Sequence, residues 1–180
     1  MGNTRKIVAK IMAVGLGMVA ALAITSPAKA DPETGPYLLA SASSLGELCL
    51  AIGGSNPNNN APAVQWKCAG DNYDKWWIFD QAGTHDGAKV YRLRNVSSQK
   101  CLAIGEGSTA NSAGAIQFTC GSGAEQRWKY DSDFRLRNMK SDKCLAIPGG
   151  SNELYIQAIQ YTCKEASLNQ EQVWYNYIIP

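Results

Sequence analysis

Three copies of one pattern organise this 180-residue chain. Cys49-Leu50-Ala51-Ile52 is followed by Ala63-Val64-Gln65-Trp66-Lys67-Cys68 and then by Asp74-Lys75-Trp76. Cys101-Leu102-Ala103-Ile104 is followed by Ala115-Ile116-Gln117-Phe118-Thr119-Cys120 and Gln126-Arg127-Trp128, and Cys144-Leu145-Ala146-Ile147 by Ala158-Ile159-Gln160-Tyr161-Thr162-Cys163 and Gln172-Val173-Trp174. The two cysteines of each copy are 19 residues apart, and these 6 are the only cysteines in the chain. One spacing kept three times points to one structural unit built three times, in which each copy buries its apolar face against its neighbours.

The compartment follows from the N-terminus. Arg5, Lys6 and Lys10 precede an apolar run from Ile11 to Ile24, and Ala28-Lys29-Ala30 fits a small-x-small cleavage pattern, so residues 1–30 read as a signal peptide. The apolar run is 14 residues long, short of the ~20 needed to span a bilayer core. The expected product is therefore secreted and extracellular, with no membrane span after cleavage. In an oxidising compartment six cysteines form a disulfide framework. If each copy is a unit, the bridges are Cys49–Cys68, Cys101–Cys120 and Cys144–Cys163, each stabilising by about 3 kcal/mol on a loop-entropy estimate.

Charge narrows the partners. Four of the 17 basic residues (Arg5, Lys6, Lys10 and Lys29) leave with the signal peptide, so 13 remain against 15 acidic ones and the net charge becomes −2. No long basic run remains, which argues against nucleic acid and anionic membranes. Zinc is also a poor fit, since no Cys-x-x-Cys pair occurs and the only histidine is His85. We expect neither a metal nor a cofactor.

From Tyr37 onward, short apolar or alternating runs are broken by Gly, Asn, Ser and Asp, and no amphipathic helical stretch stands out. Tyr91-Arg92-Leu93-Arg94-Asn95 and Phe134-Arg135-Leu136-Arg137-Asn138 recur 43 residues apart, as do Cys101 and Cys144. Cys49 precedes Cys101 by 52 residues because a turn-rich piece, Gln81 to Lys89, is added between them. Three units with about four short strands each are too few for a propeller. They describe an all-β domain over 31–180, a β-trefoil of three disulfide-stapled repeats with pseudo-threefold symmetry, the repeats spanning about 37–85, 86–131 and 132–180.

Cys-Leu-x-Ile, a second cysteine 19 residues later, and Gln-x-Trp shortly after it resemble the ricin-B-type lectin repeat, here over essentially all of Tyr37 to Pro180. The resemblance implies a non-catalytic carbohydrate-binding module, contacting polysaccharide or cell-surface glycan through up to three pockets. In that family an aromatic platform for a sugar ring often stands two residues before the second cysteine, which points to Trp66, Phe118 and Tyr161. Strand pairing is expected to set Ala51 beside Trp66, Ala103 beside Phe118 and Ala146 beside Tyr161. Sugar-binding members usually carry Asp where these three alanines stand, and often Asn before the Gln of Gln-x-Trp, where this chain has Tyr73, Glu125 and Glu171.

Trp76, Trp128 and Trp174 are expected to fill three equivalent cores. Gln126 and Gln172 can donate and accept hydrogen bonds, while Asp74, taken as the glutamine's replacement in the first copy, only accepts when ionised. These three join the rings and alanines as candidate carbohydrate-binding residues. The rings themselves are open to two readings: stacking on glycans, favoured at Trp66 for its larger face, or packing. The alternative function is a trefoil that has lost sugar binding and acts as a protein-interaction module, a toxin-type subunit or an inhibitor. For catalysis the residues offer little. His85 lies in a Gly-Thr-His-Asp-Gly turn, no thiol is left free by the expected bridges, and no pair of carboxylates is placed across a sugar site. Asn95-Val96-Ser97 matches a glycosylation sequon but also begins a repeated strand, and reads as structural.

Overall fold

A computed structural model describes residues 35–70 and 73–178. The proposed signal peptide lies outside the described residues. The described residues are all-β, with twelve strands among them: β1 (Tyr37–Ser41), β2 (Leu48–Ile52), β3 (Ala63–Lys67), β4 (Trp76–His85), β5 (Ala88–Asn95), β6 (Cys101–Ile104), β7 (Ala115–Phe118), β8 (Trp128–Tyr130), β9 (Leu136–Asn138), β10 (Cys144–Ala146), β11 (Ile159–Tyr161) and β12 (Trp174–Tyr177). Short 3₁₀ turns link them, among them Gly53–Ser55, Gly105–Gly107 and Pro148–Gly150 at the same place in each repeat.

Six strands form a barrel. Antiparallel pairing runs β12–β1–β4–β5–β8–β9, and the Trp174 amide closes the ring by donating to the Phe134 carbonyl at 2.8 Å. The other six strands make three hairpins, β2–β3, β6–β7 and β10–β11. Each hairpin joins the barrel through its first strand, as in the pairs Ala40↔Cys49, Arg94↔Cys101 and Arg137↔Cys144. This is a β-trefoil.

The periodicity of the sequence explains the burial. Leu50 and Ile52 alternate with Cys49 and Ala51, so the aliphatic pair faces the common core while the cysteine faces the outer side of the hairpin. Leu102/Ile104 and Leu145/Ile147 repeat the arrangement in the other two copies. Where the hairpins meet, Ala63, Ala115 and Ala158 are fully buried. The amide of Ala158 donates to Ala63 O and that of Ala115 to Ala158 O, at 2.9 and 2.8 Å. Three backbones approach this closely because each brings only a methyl group. The disulfides are the three within-repeat pairs, Cys49–Cys68, Cys101–Cys120 and Cys144–Cys163.

One core expectation needs correction. Trp128 and Trp174 are fully buried and donate their indole N–H to Leu102 O and Leu145 O at 3.0 and 3.1 Å. In the first repeat the equivalent residue is Trp77, not Trp76. Trp77 is fully buried and donates to Leu50 O at 2.9 Å. Trp76, pairing with Leu38, is only partly buried, against the outer cluster of Leu38, Ala40 and Cys49. Trp76 follows Cys68 by eight residues, as Trp128 follows Cys120, so spacing selects it. The first linker is one residue longer, and neighbouring positions on a strand face opposite ways.

The added piece Gln81 to Lys89 extends the β4–β5 hairpin, with an irregular register between Gln81 and Gly83. His85 sits at its exposed tip beside Asp86 at 3.2 Å. Asn95 is fully buried: its amide donates to Asp74 O at 2.7 Å and its carbonyl accepts from the Ser97 and Ser98 amides. The sequon's asparagine is therefore structural, as read, but it ends β5 and builds the turn that follows rather than beginning a strand. Asn138 does the same with Glu125 O.

Candidate carbohydrate-binding sites

Shifting the first repeat by one residue realigns its polar positions. Lys75, not Asp74, takes the place of Gln126 and Gln172. Gln126 Nε2 donates to Thr119 O while its Oε1 accepts from the Gly121 amide. Gln172 Nε2 donates to Thr162 O, and its Oε1 accepts from the Lys164 amide. Lys75, only 1 % exposed, turns its ammonium onto Lys67 O and Ala69 O at 3.3 and 2.7 Å. All three tie down the segment that follows the second cysteine. For Gln126 and Gln172 this backbone bonding uses both ends of the amide, so their part is to shape the site.

Asp74 then falls level with Glu125 and Glu171, one residue before the tie, where the unshifted reading had Tyr73. All three repeats thus carry an acid at one position. Each acid lines a cavity on the outer face of its own hairpin, beside the ring of the same repeat: Asp74 with Trp66, Glu125 with Phe118, Glu171 with Tyr161. The rings are partly to fairly open, Phe118 at 39 % and Tyr161 at 36 % exposed and Trp66 half-buried. These cavities, sites 1, 2 and 3 in repeat order, measure about 110, 400 and 310 Å³.

Strand register differs from expectation in detail. Trp66, Phe118 and Tyr161 lie opposite Cys49, Cys101 and Cys144, while Ala51, Ala103 and Ala146 lie opposite Val64, Ile116 and Ile159. The disulfide runs diagonally, because the second cysteine stands one or more residues beyond its strand. Directly opposite residues share a face, so ring and alanine still lie on the same surface, one step apart. Ala103 and Ala146 line sites 2 and 3. Ala51 is buried and reaches site 1 only through its partner Val64.

Each site is completed by a neighbouring repeat, a feature that sequence reasoning missed. Asn60 of the first repeat lines site 2, Ser112 of the second lines site 3, and Tyr155 of the third lines site 1. They hold one backbone conformation, with φ of 64°, 66° and 65°. Buried glutamines set these loops: Gln117 Nε2 donates to Asn56 O and Asn58 O, Gln160 Nε2 to Ser108 O and Ala110 O, and Gln65 Nε2 to Ser151 O and Glu153 O. Asn59 and Asn111 side chains add bonds to Thr119 and Thr162. The only sequence signal for this was the repeated Gln before each ring.

The sequence matches the family model of the ricin-type beta-trefoil lectin domain over residues 40–174. The chain belongs to that family. No curated protein matches its sequence. Among solved structures, the lectin-family domain resembles the designed threefold-symmetric protein ThreeFoil, with a TM-score of 0.71 at 25% identity, over 81% of this chain and 100% of that one. It also resembles part of 1,3Gal43A, an exo-beta-1,3-galactanase from Clostridium thermocellum, with a TM-score of 0.71 at 22% identity, over 82% of this chain but 31% of that one. The earthworm R-type lectin C-half, solved in complex with GalNAc, has a TM-score of 0.61 at 13% identity, over 78% and 95% of the two chains. At these identities the last two speak for the fold. Among the described residues, no helix is long and apolar enough to cross a membrane.

Proposed function

We propose that this ricin-type trefoil is a secreted, non-catalytic module that binds polysaccharide or cell-surface glycan through three weak pockets. The observation that carries the reading is the recurrence, in all three repeats, of an exposed or half-exposed ring beside an acid at the same position. A ring face receives the C–H side of a pyranose, and a carboxylate accepts hydrogen bonds from its hydroxyls. The acids at 74, 125 and 171 offer the acceptor that Ala51, Ala103 and Ala146 do not.

A hydrogen bond to a charged group contributes about 1.5–3 kcal/mol, so its presence changes affinity by about tenfold or more. Three weak sites on one rigid body gain avidity on a polymer presenting repeated units. Export by cleavage after Ala30 delivers such a module to its glycan. The test is a glycan array with a polysaccharide pull-down on residues 31–180, sensitive to millimolar affinities. Binding that weakens in Trp66→Ala, Phe118→Ala and Tyr161→Ala supports the reading. Absence of binding to every glycan, unaltered by Trp66→Ala, sinks it in favour of a protein-interaction trefoil.

A further inference from the structure

We propose that site 1 binds a primary ammonium group, and so selects glycan units with a free amine over neutral or N-acylated ones. The inference rests on the glycan reading above and names the ligand class of one of its sites. Its starting point is Asp74, which is 7 % exposed. Oδ2 accepts from Ser55 Oγ at 2.7 Å, while Oδ1 is buried with no hydrogen-bond partner. A buried carboxylate oxygen left without a donor is costly, and with Asp74 lining site 1 it marks a position for a ligand's donor.

The second observation is a pair of rings. Trp66 and Tyr155 stand 4.4 Å apart between centroids at 44°, both in the wall of site 1. Sites 2 and 3 have Asn60 and Ser112 where site 1 has Tyr155. The two rings pack on each other, so a ligand's ammonium would meet an outward ring face beside the carboxylate, attracted by the π-face as well as the charge.

The third observation comes from site 3, which already holds such an ion from its own chain. Lys164 Nζ lies 3.0 Å from Glu171 Oε1 and 5.5 Å from the centre of the Tyr161 ring. Glu171 and Tyr161 are the counterparts of Asp74 and Trp66, so an ammonium fits between these two positions of the repeat. Lys164 directly follows Cys163; the residue that directly follows Cys68 is Ala69, which is exposed. Site 2 is bordered by Lys140. Among the described residues no basic side chain lines site 1, and the nearby Lys75 ammonium is bonded to Lys67 O and Ala69 O. Site 1 is thus the one whose cation must come from outside. At about 110 Å³ it is also the smallest of the three, matched to a head group with the rest of the sugar lying over Trp66.

The experiment compares three β-1,4-linked hexasaccharides with the same ring shape, of glucosamine, N-acetylglucosamine and glucose. Each is titrated by calorimetry into the mature chain, residues 31–180. Expected is a preference of at least tenfold for the glucosamine oligomer, shrinking as salt is added. Asp74→Asn and Ala69→Lys should each abolish that preference, the second by supplying site 1 with the lysine that site 3 has. Asp86→Asn, an equal change of charge at the exposed hairpin tip, should leave it intact. Lys164→Ala should add a second amine site at Tyr161. Equal affinity for the three oligomers, or a preference that survives both Asp74→Asn and Ala69→Lys, overturns the ammonium inference and leaves glycan binding standing. No binding to any of them, with the array also blank, removes the glycan reading itself.

Discussion

Trp77, Trp128 and Trp174 each bury a whole indole and spend its single donor on the backbone of the hairpin above, at Leu50, Leu102 and Leu145. Each therefore joins the barrel to the cap formed by the three hairpins, by packing and by one directed bond. Trp77→Ala is expected to cost about 3–5 kcal/mol, read as a fall in the urea midpoint. Trp76→Ala, which uncovers only part of the outer cluster, should cost about 1–2 kcal/mol. The reverse order would mean that the first repeat is aligned wrongly, and the positions of Asp74 and Lys75 would move with it. Spacing alone favoured the wrong tryptophan because a one-residue difference in a linker inverts the face of every following side chain. The rings at 66, 118 and 161 were legible, since their distance to the second cysteine is constant. The acids were legible as residues but not as a set, because the misplaced tryptophan hid Asp74 from the other two.

At the scale of elements, the hairpins needed only local information, and the barrel did not. Each hairpin is closed by a disulfide 19 residues apart and a turn rich in Gly, Asn and Ser, so its pairing follows from the repeat. The seam between β9 and β12 depends on residues far apart in sequence. There Tyr130 Oη donates to Trp174 O at 2.6 Å, supporting the bond from Trp174 N to Phe134 O. Burial holds the Tyr130 phenol well above the ordinary tyrosine value of about 10. Above that pH the unfolded phenol gives up its proton while the native one keeps it, so the unfolded state binds fewer protons and stability falls. The contribution is complete below about pH 10 and is lost as pH rises through the native value. Chemical denaturation at pH 8 and pH 11 should show this decline. Tyr130→Phe should be less stable at pH 8 by about 1–2 kcal/mol, for the lost hydrogen bond, yet lose less on going to pH 11. An equal decline in both proteins would assign the alkaline loss to other groups.

For the whole molecule, cooperation between repeats is the controlling fact. β1 pairs with β12, β4 with β5, and β8 with β9, so every repeat completes its barrel strands with those of the next. The cap is equally shared, through Ala63, Ala115 and Ala158 and through Gln65, Gln117 and Gln160. A fragment of residues 35–131 keeps two disulfides but loses β12 and β9, which pair with β1 and β8 to close the barrel. It should lack dispersed amide resonances and a cooperative thermal transition, whereas residues 31–180 should show both. A folded fragment would mean that two repeats form a core by themselves. Binding sites obey the same rule, since site 1 draws Tyr155 from a loop some ninety residues beyond Trp66.

The amino-acid sequence by itself determined the three repeats, the all-β trefoil, the cysteine pairs and the three rings, because each is written in short-range spacing that recurs three times. Tertiary structure decided which tryptophan enters the first core, that Asp74 belongs with Glu125 and Glu171, and that a third-repeat tyrosine faces a first-repeat tryptophan. It also decided that one lysine already occupies site 3 while site 1 stays open to a cation. These depend on the register of strands and on loops brought together around the threefold axis. A one-residue offset or a contact across ninety residues leaves almost no trace in local pattern, yet it sets the face, the neighbours and the charge of each site.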